Sequence, residues 1–118
     1  MRLVHDPADG EPRTLASDVE LADSFLSRAR GLMFRRSFPE AMAFRFEGVG
    51  RRSLHMAFVT EPLDAVWAVD GEVVQVERLA PWTGTGWGRA DLVVELPAGG
   101  ADGVAVGDGL HLAGTDSL

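Results

Sequence analysis

A chain of 118 residues, 46% apolar and 25% charged, has the composition of a small globular protein and is long enough to bury one core. Eighteen acidic residues against eleven basic ones give a net charge of −7, and every basic residue is Arg. With no Cys, Lys or Asn there can be no disulfide, thiolate metal site, Schiff base, P-loop or N-glycosylation sequon, so any chemistry falls to Ser, Thr, Asp, Glu, His and Arg.

Short extended runs dominate the chain order. Arg2 to His5 reads as a strand, followed by a turn at Asp6 to Gly10, and Arg13 to Ala16 and Val19 to Ala22 read as two more. Phe25, Leu26, Ala29, Leu32 and Met33 then recur with helical period, and Asp23 or Ser24 can cap that helix. Alternation predicts one strand around Met42, Phe44 and Phe46 and another around Leu54, Met56 and Phe58. Leu63 to Val69, Asp70-Gly71 and Glu72 to Glu77 form the clearest local signal, a hairpin with a two-residue turn. In regular alternation Val73, Gln75 and Glu77 share one face of it. Ala90 to Leu96 and Leu110 to Ala113 complete the strands, and the Gly-rich stretch Gly84 to Gly88 reads as a flexible loop carrying Trp87, with Trp82 just before it. The expected class is α+β, mainly β: one domain over residues 1–118, built as a compact, partly closed antiparallel or mixed sheet, or a barrel, of seven or eight short strands with one helix.

Charge is uneven along the chain. Residues 28–52 hold seven Arg and two Glu, a local +5 within an acidic protein. Such an island can focus anions, or it can be a dispersed and solvated set. The acidic, Lys-free composition fits a halophilic origin or GC-rich codon usage. The longest apolar run, Ala65 to Val69, is far too short to cross a bilayer, and no export signal is read at the start, so a soluble, cytoplasmic protein with no membrane partner is expected. His5, His55 and His111 are too scattered to suggest a metal site, so neither a metal nor a cofactor is expected. The net charge disfavours nucleic acid as a partner.

His55 and Asp64 flank the Thr60-Glu61-Pro62 corner and can form an acid–base pair; the bland alternative is a structural His with an Asp that accepts turn amides. Trp82 and Trp87 can offer flat faces to a sugar or base, or fold back over the core.

Four blocks together resemble the family called domain of unknown function 192. They are Arg28-Ala-Arg-Gly31-Leu32-Met33 with Arg36, Ala41 to Phe46, Leu54 to Thr60 with Pro62, Leu63 and Asp64, and Val94 to Gly99 with Gly107-Asp108. Order and spacing hold from about Ala22 to Leu112. The third block departs from the family pattern: His55 stands for a Trp, Ala57 for a Lys and Phe58 for an Asn. The resemblance implies a small, mostly-β domain with one helix and no established activity. In one reading Gly31, Pro62, Gly99 and Gly107 fix turns, Leu32, Met33 and Asp108 are structural, and Arg28 braces Asp64 or Glu95. In the other, Arg28, His55, Met56, Asp64, Trp82, Trp87 and Glu95 line a site for a small anionic or carbohydrate-like ligand, without catalysis. Two alternatives stand beside it: a hydrolase using Asp64 and Glu95 with His55, and a protein-interaction module using the Arg28–Arg52 island.

Overall fold

The computed structural model describes residues 1–22, 40–57 and 59–114. Eight strands run through them: β1 (Arg2–Asp6), β2 (Arg13–Ala16), β3 (Val19–Ala22), β4 (Ala41–His55), β5 (Leu63–Val69), β6 (Glu72–Leu79), β7 (Thr85–Pro97) and β8 (Gly109–Ala113). They form one mixed sheet in the order β2-β1-β8-β6-β5-β7-β4-β3, in which β3–β4 is parallel and the other pairs are antiparallel. The mainly-β class and the strand number agree with expectation. The barrel does not: β2 and β3 end the sheet without pairing to each other, although only Ser17 and Asp18 separate them in the chain. Glu40 holds this link, accepting from the Ser17 amide at 2.8 Å and from its hydroxyl. Among the described residues there is no helix. The helix read over residues 25–33 lies outside them, and so do Arg28, Gly31, Leu32 and Met33.

Three local readings change. The two strands expected around residues 42–46 and 54–58 are one 15-residue strand, β4, because both halves pair with the same partner, β7. The Gly84–Gly88 stretch is no loop beyond Gly84, since β7 begins at Thr85. In the hairpin, Asp70 (φ 48) and Gly71 (φ 81) make the left-handed turn that a two-residue connection requires. A bulge between Trp67 and Ala68 then pairs Ala68 with Val73 but Trp67 with Gln75. Val73 therefore joins the opposite face from Gln75, against the simple alternation read from sequence.

The sheet buries apolar residues on both faces. The inner cluster draws on every strand, with Leu3, Val66, Ala68, Leu92, Val94 and Leu110 among its members. The outer cluster, Met42, Phe44, Leu54, Met56, Trp67 and Val93 among others, comes from β4 to β7 and the segment after β4.

Its lid is a fold in β4 and β7 themselves. Their pairing shifts between Arg45↔Leu92 and Gly50↔Ala90, where four residues of β4 oppose one of β7. Beyond that bulge the two strands continue as a ribbon, residues 50–55 against 85–90, that doubles back over Trp67. Trp67 pairs through its backbone with Val93, yet its ring lies against Gly86 and Gly88. A Cβ at Gly88 would sit 3.0 Å from Trp67 Cγ, and one at Gly86 3.1 Å from Trp67 Cη2. The glycines are there because the indole needs their space. Trp67, wholly buried, donates its Nε1–H to the Arg52 carbonyl at 2.9 Å, and Gln75 donates to the Trp87 carbonyl at 2.7 Å. Both bonds pin the ribbon to the sheet.

Candidate functional site

The motif carboxylates serve the inside of the molecule. Strand alternation and core membership place Asp64 on the inner face, with Val66 and Ala68, and Glu95 on the outer face, with Met42, Ala65 and Val93. The two acids that a hydrolase would pair are on opposite sides of one sheet.

Asp64 is 3% exposed and accepts four hydrogen bonds. Arg78 Nε donates at 2.8 Å and Nη2 at 3.3 Å, and the amides of Gly99 and Ala101 donate at 2.9 and 3.1 Å. Burial pushes this carboxyl up, but the Arg78 bonds and the two amides outweigh it and hold it below the usual range. Its cation in the described residues is thus Arg78; Arg28, the brace read from sequence, lies outside them.

Asp108 plays the matching part at the other end of the same loop. It accepts from the Ala105 amide at 3.0 Å, the Ala8 amide at 3.1 Å and His5 Nε2 at 2.8 Å. His5 is 1% exposed, and its Nδ1 accepts from Arg13 Nε at 2.9 Å. A guanidinium can only donate, so Nδ1 carries no proton and Nε2 carries the one given to Asp108. The His5 bond, with the two amides, lowers the Asp108 pKa to about 2. Gly99 (φ 95) and Gly107 (φ 97) make left-handed turns at the loop's two ends, and Ala101 inserts into the inner core between them. Sequence reasoning missed this His5–Asp108 pair because 103 residues separate its members.

The remaining candidates fall on or beside the ribbon. Residues paired across it share a face, and Gly86, Gly88 and Leu54 face Trp67 and the core. The pairs Arg51–Arg89, Ser53–Trp87 and His55–Thr85 therefore all point outward, and all six residues are exposed. Met56 belongs to the buried outer cluster, and its amide bonds to the Gly84 carbonyl beside the last of these rungs. Trp82 (φ 65, 52% exposed) stands in the turn before β7, with its amide on the Val59 carbonyl. Pro62 leads into β5 and is exposed.

So the structure brings His55 and Trp87 onto one surface and gives Asp64 a different neighbourhood. It adds Arg51 and Arg89, which sequence reasoning did not single out as a pair. Arg51 lies over the Trp87 ring, 4.3 Å from its centroid, and Trp87 is 53% exposed. Arg51 and Arg89 stand directly opposite each other, a like-charge arrangement that costs stability, and none of the six outward residues is acidic. Among the described residues the Arg89 guanidinium has no hydrogen bond or ion pair. A separate concavity of about 290 Å³ is lined by Arg45, Phe46, Leu92, Leu110 and Leu112 among others and contains none of the candidate ligand-binding residues. No group of three or more metal-ligating side chains occurs among the described residues. Nor is any helix among them long and apolar enough to cross a membrane.

Residues 6–112 match the profile of the DUF192 family, described as an uncharacterized ACR. The chain belongs to this family. It is 33% identical over 88 residues to a UPF0127 protein of Thermococcus sibiricus, covering 71% of this chain and 57% of that protein. A UPF0127 protein of Thermococcus kodakarensis is 33% identical over 85 residues, covering 69% of this chain and 54% of that one. The DUF192 chain thus spans little more than half the length of these curated relatives. A crystal structure from Sinorhizobium meliloti, assigned as a candidate transcription regulator, superposes with a TM-score of 0.82 at 29% identity, over 93% of this chain and 91% of that one. A protein of unknown function from Novosphingobium aromaticivorans shares the fold, with a TM-score of 0.82 at 22% identity over 95% and 84% of the two chains. The motif positions Asp64, Gly99, Gly107 and Asp108 of this DUF192 chain all build the 98–108 loop.

Proposed function

We propose that this DUF192 domain is a non-catalytic binding module whose ligand is a small anion docked on the outward face of the β4–β7 ribbon. The observation that carries the reading is the Arg51–Arg89 pair. In a chain with 18 acidic residues, two Arg face each other, and none of the six outward ribbon residues is acidic. An anion bridging the two guanidiniums turns that repulsion into two charge-assisted contacts. The site is pre-organised, because Trp67, Gln75 and the two glycines hold the ribbon in place before any ligand arrives.

Size favours a small ligand over a protein. Three rungs extend roughly 13 Å along the strands, at about 3.4 Å per residue. A stable protein interface takes about 800 Å² from each partner, far more than six side chains on two strands present. The hydrolase alternative finds less support, since Asp64 is saturated by chain donors and Glu95 lies on the other side of the sheet. The regulator assignment of the Sinorhizobium meliloti protein is compatible with a ligand-sensing role, and says nothing of the ligand.

A two-dimensional amide NMR titration with pyrophosphate tests the proposal. Saturable shifts are expected at residues 51–55 and 85–89, and they should vanish in Arg51→Ala/Arg89→Ala. Shifts that survive the double substitution, or a face that stays silent, would refute it.

A further inference from the structure

We infer that the ligand of the ribbon face is a free nucleoside phosphate, with its phosphate between Arg51 and Arg89 and its base against Trp87. This rests on the anion-binding reading above and names the chemistry of the ligand.

The three rungs differ in kind, and their order matters. The first, Arg51–Arg89, is a pair of cations suited to one phosphate. The second, Ser53–Trp87, offers a large aromatic surface. Arg51 already occupies one side of the indole at 4.3 Å, which fixes both the ring and the guanidinium, while about half of Trp87 remains exposed. A planar base can stack there, next to the phosphate site and not remote from it. The third rung, His55–Thr85, adds side chains that both donate and accept hydrogen bonds, which the polar edge of a base requires. A bare anion uses only the first rung, and a neutral sugar leaves that rung's repulsion in place. A nucleoside phosphate engages all three.

The extent of the face sets the source. Beyond the Arg51–Arg89 rung comes the bulge at residues 46–49, where regular pairing stops and Glu47 is exposed. Beyond the His55–Thr85 rung both strands end. The six outward residues hold one cation pair and one indole, enough for the phosphate and base of one nucleotide. The chain-wide charge of −7 opposes the additional phosphates of a strand.

The test is a comparative NMR titration of the full chain with adenosine monophosphate, ribose 5-phosphate, inorganic phosphate, adenosine and a short single-stranded oligonucleotide. Adenosine monophosphate should bind several-fold tighter than each of its parts, with shifts confined to residues 51–55 and 85–89 and to the Trp87 indole. Trp87→Ala should weaken adenosine monophosphate by about tenfold, the loss of one base–aromatic stack, and weaken inorganic phosphate by much less, since there only the support of the Arg51 guanidinium is lost; an equal loss for both would overturn the stacking. Trp87→Phe should restore most of the affinity. Trp87 is exposed, so these variants keep the fold, which the remaining amide peaks verify. Equal binding of adenosine monophosphate and ribose 5-phosphate would overturn the inference and leave the anion site standing. An oligonucleotide that binds far more tightly per nucleotide would overturn the free-ligand source. Failure of every phosphate would overturn both this inference and the anion reading beneath it.

Discussion

On the inner side of the sheet, Asp64 and Asp108 are buried and supplied with donors from Arg78, His5 and four backbone amides. On the outer side, the exposed ribbon sets Arg51 opposite Arg89, with no acid among its six outward residues. Both regions are rich in charge, and the difference lies in what the charges do. The carboxylates take the place of water for amides in a loop that packs on the core, so removing one strands its donors. The arginines break a cross-strand rule, and the Arg51 stack on Trp87 offsets it on one side only, since Arg89 has no hydrogen bond or ion pair among the described residues. Departures of that kind concentrate where a protein binds something.

This contrast makes the two regions respond oppositely to substitution. Asp64→Ala should cost about 2–4 kcal/mol in urea unfolding, because it orphans the Gly99 and Ala101 amides and an ion-pair partner, while pyrophosphate binding by the folded fraction stays intact. Gly88→Ala should cost about 1–3 kcal/mol, since the added Cβ meets Trp67 and Gln75. Here binding should fall too, because the ribbon is displaced from its seat.

Acid provides a third probe. The Asp108 carboxyl titrates at about 2 in the folded chain and near the ordinary value of about 3.9 when unfolded. A depressed carboxylate contributes stability above about pH 4 and loses it as pH falls toward 2. Asp108→Asn should therefore flatten the stability profile over that window, and an unchanged slope would detach Asp108 from the acid response. The smallest change in stability belongs to Arg89→Glu. Relief of the like-charge pair should raise stability by about 0.5 kcal/mol, yet pyrophosphate shifts on the ribbon should disappear. A substitution that stabilises the fold while removing binding would separate the roles of the two regions.

Much of the local structure was legible from residue order. The strands at Arg2–Asp6, Arg13–Ala16 and Val19–Ala22 and the Asp70-Gly71 hairpin depend on neighbours within a few positions and appear where expected, whereas the runs around residues 42–46 and 54–58 merge into β4 and the first family block lies outside the described residues. Asp64 does accept backbone amides, but those of Gly99 and Ala101, 35 and 37 residues away, where the sequence suggested the adjacent Thr60–Pro62 turn. Other features resisted because their cause is remote. The glycines at 86 and 88 look like a loop until Trp67 supplies the reason for them, and the faces of Gln75 and Val73 depend on a bulge opposite Trp67.

Sequence by itself therefore determined the mainly-β class and the residue types open to chemistry, because these follow from periodicity, turn chemistry and composition, while the family follows from the resemblance of its motif blocks. Only the tertiary structure decided which charges are internal and which are presented. That choice depends on where the β4–β7 ladder bends and on which face of a twisted sheet each alternate residue meets. Arg51 and Arg89 are 38 positions apart in the chain and became a site only when the two strands paired.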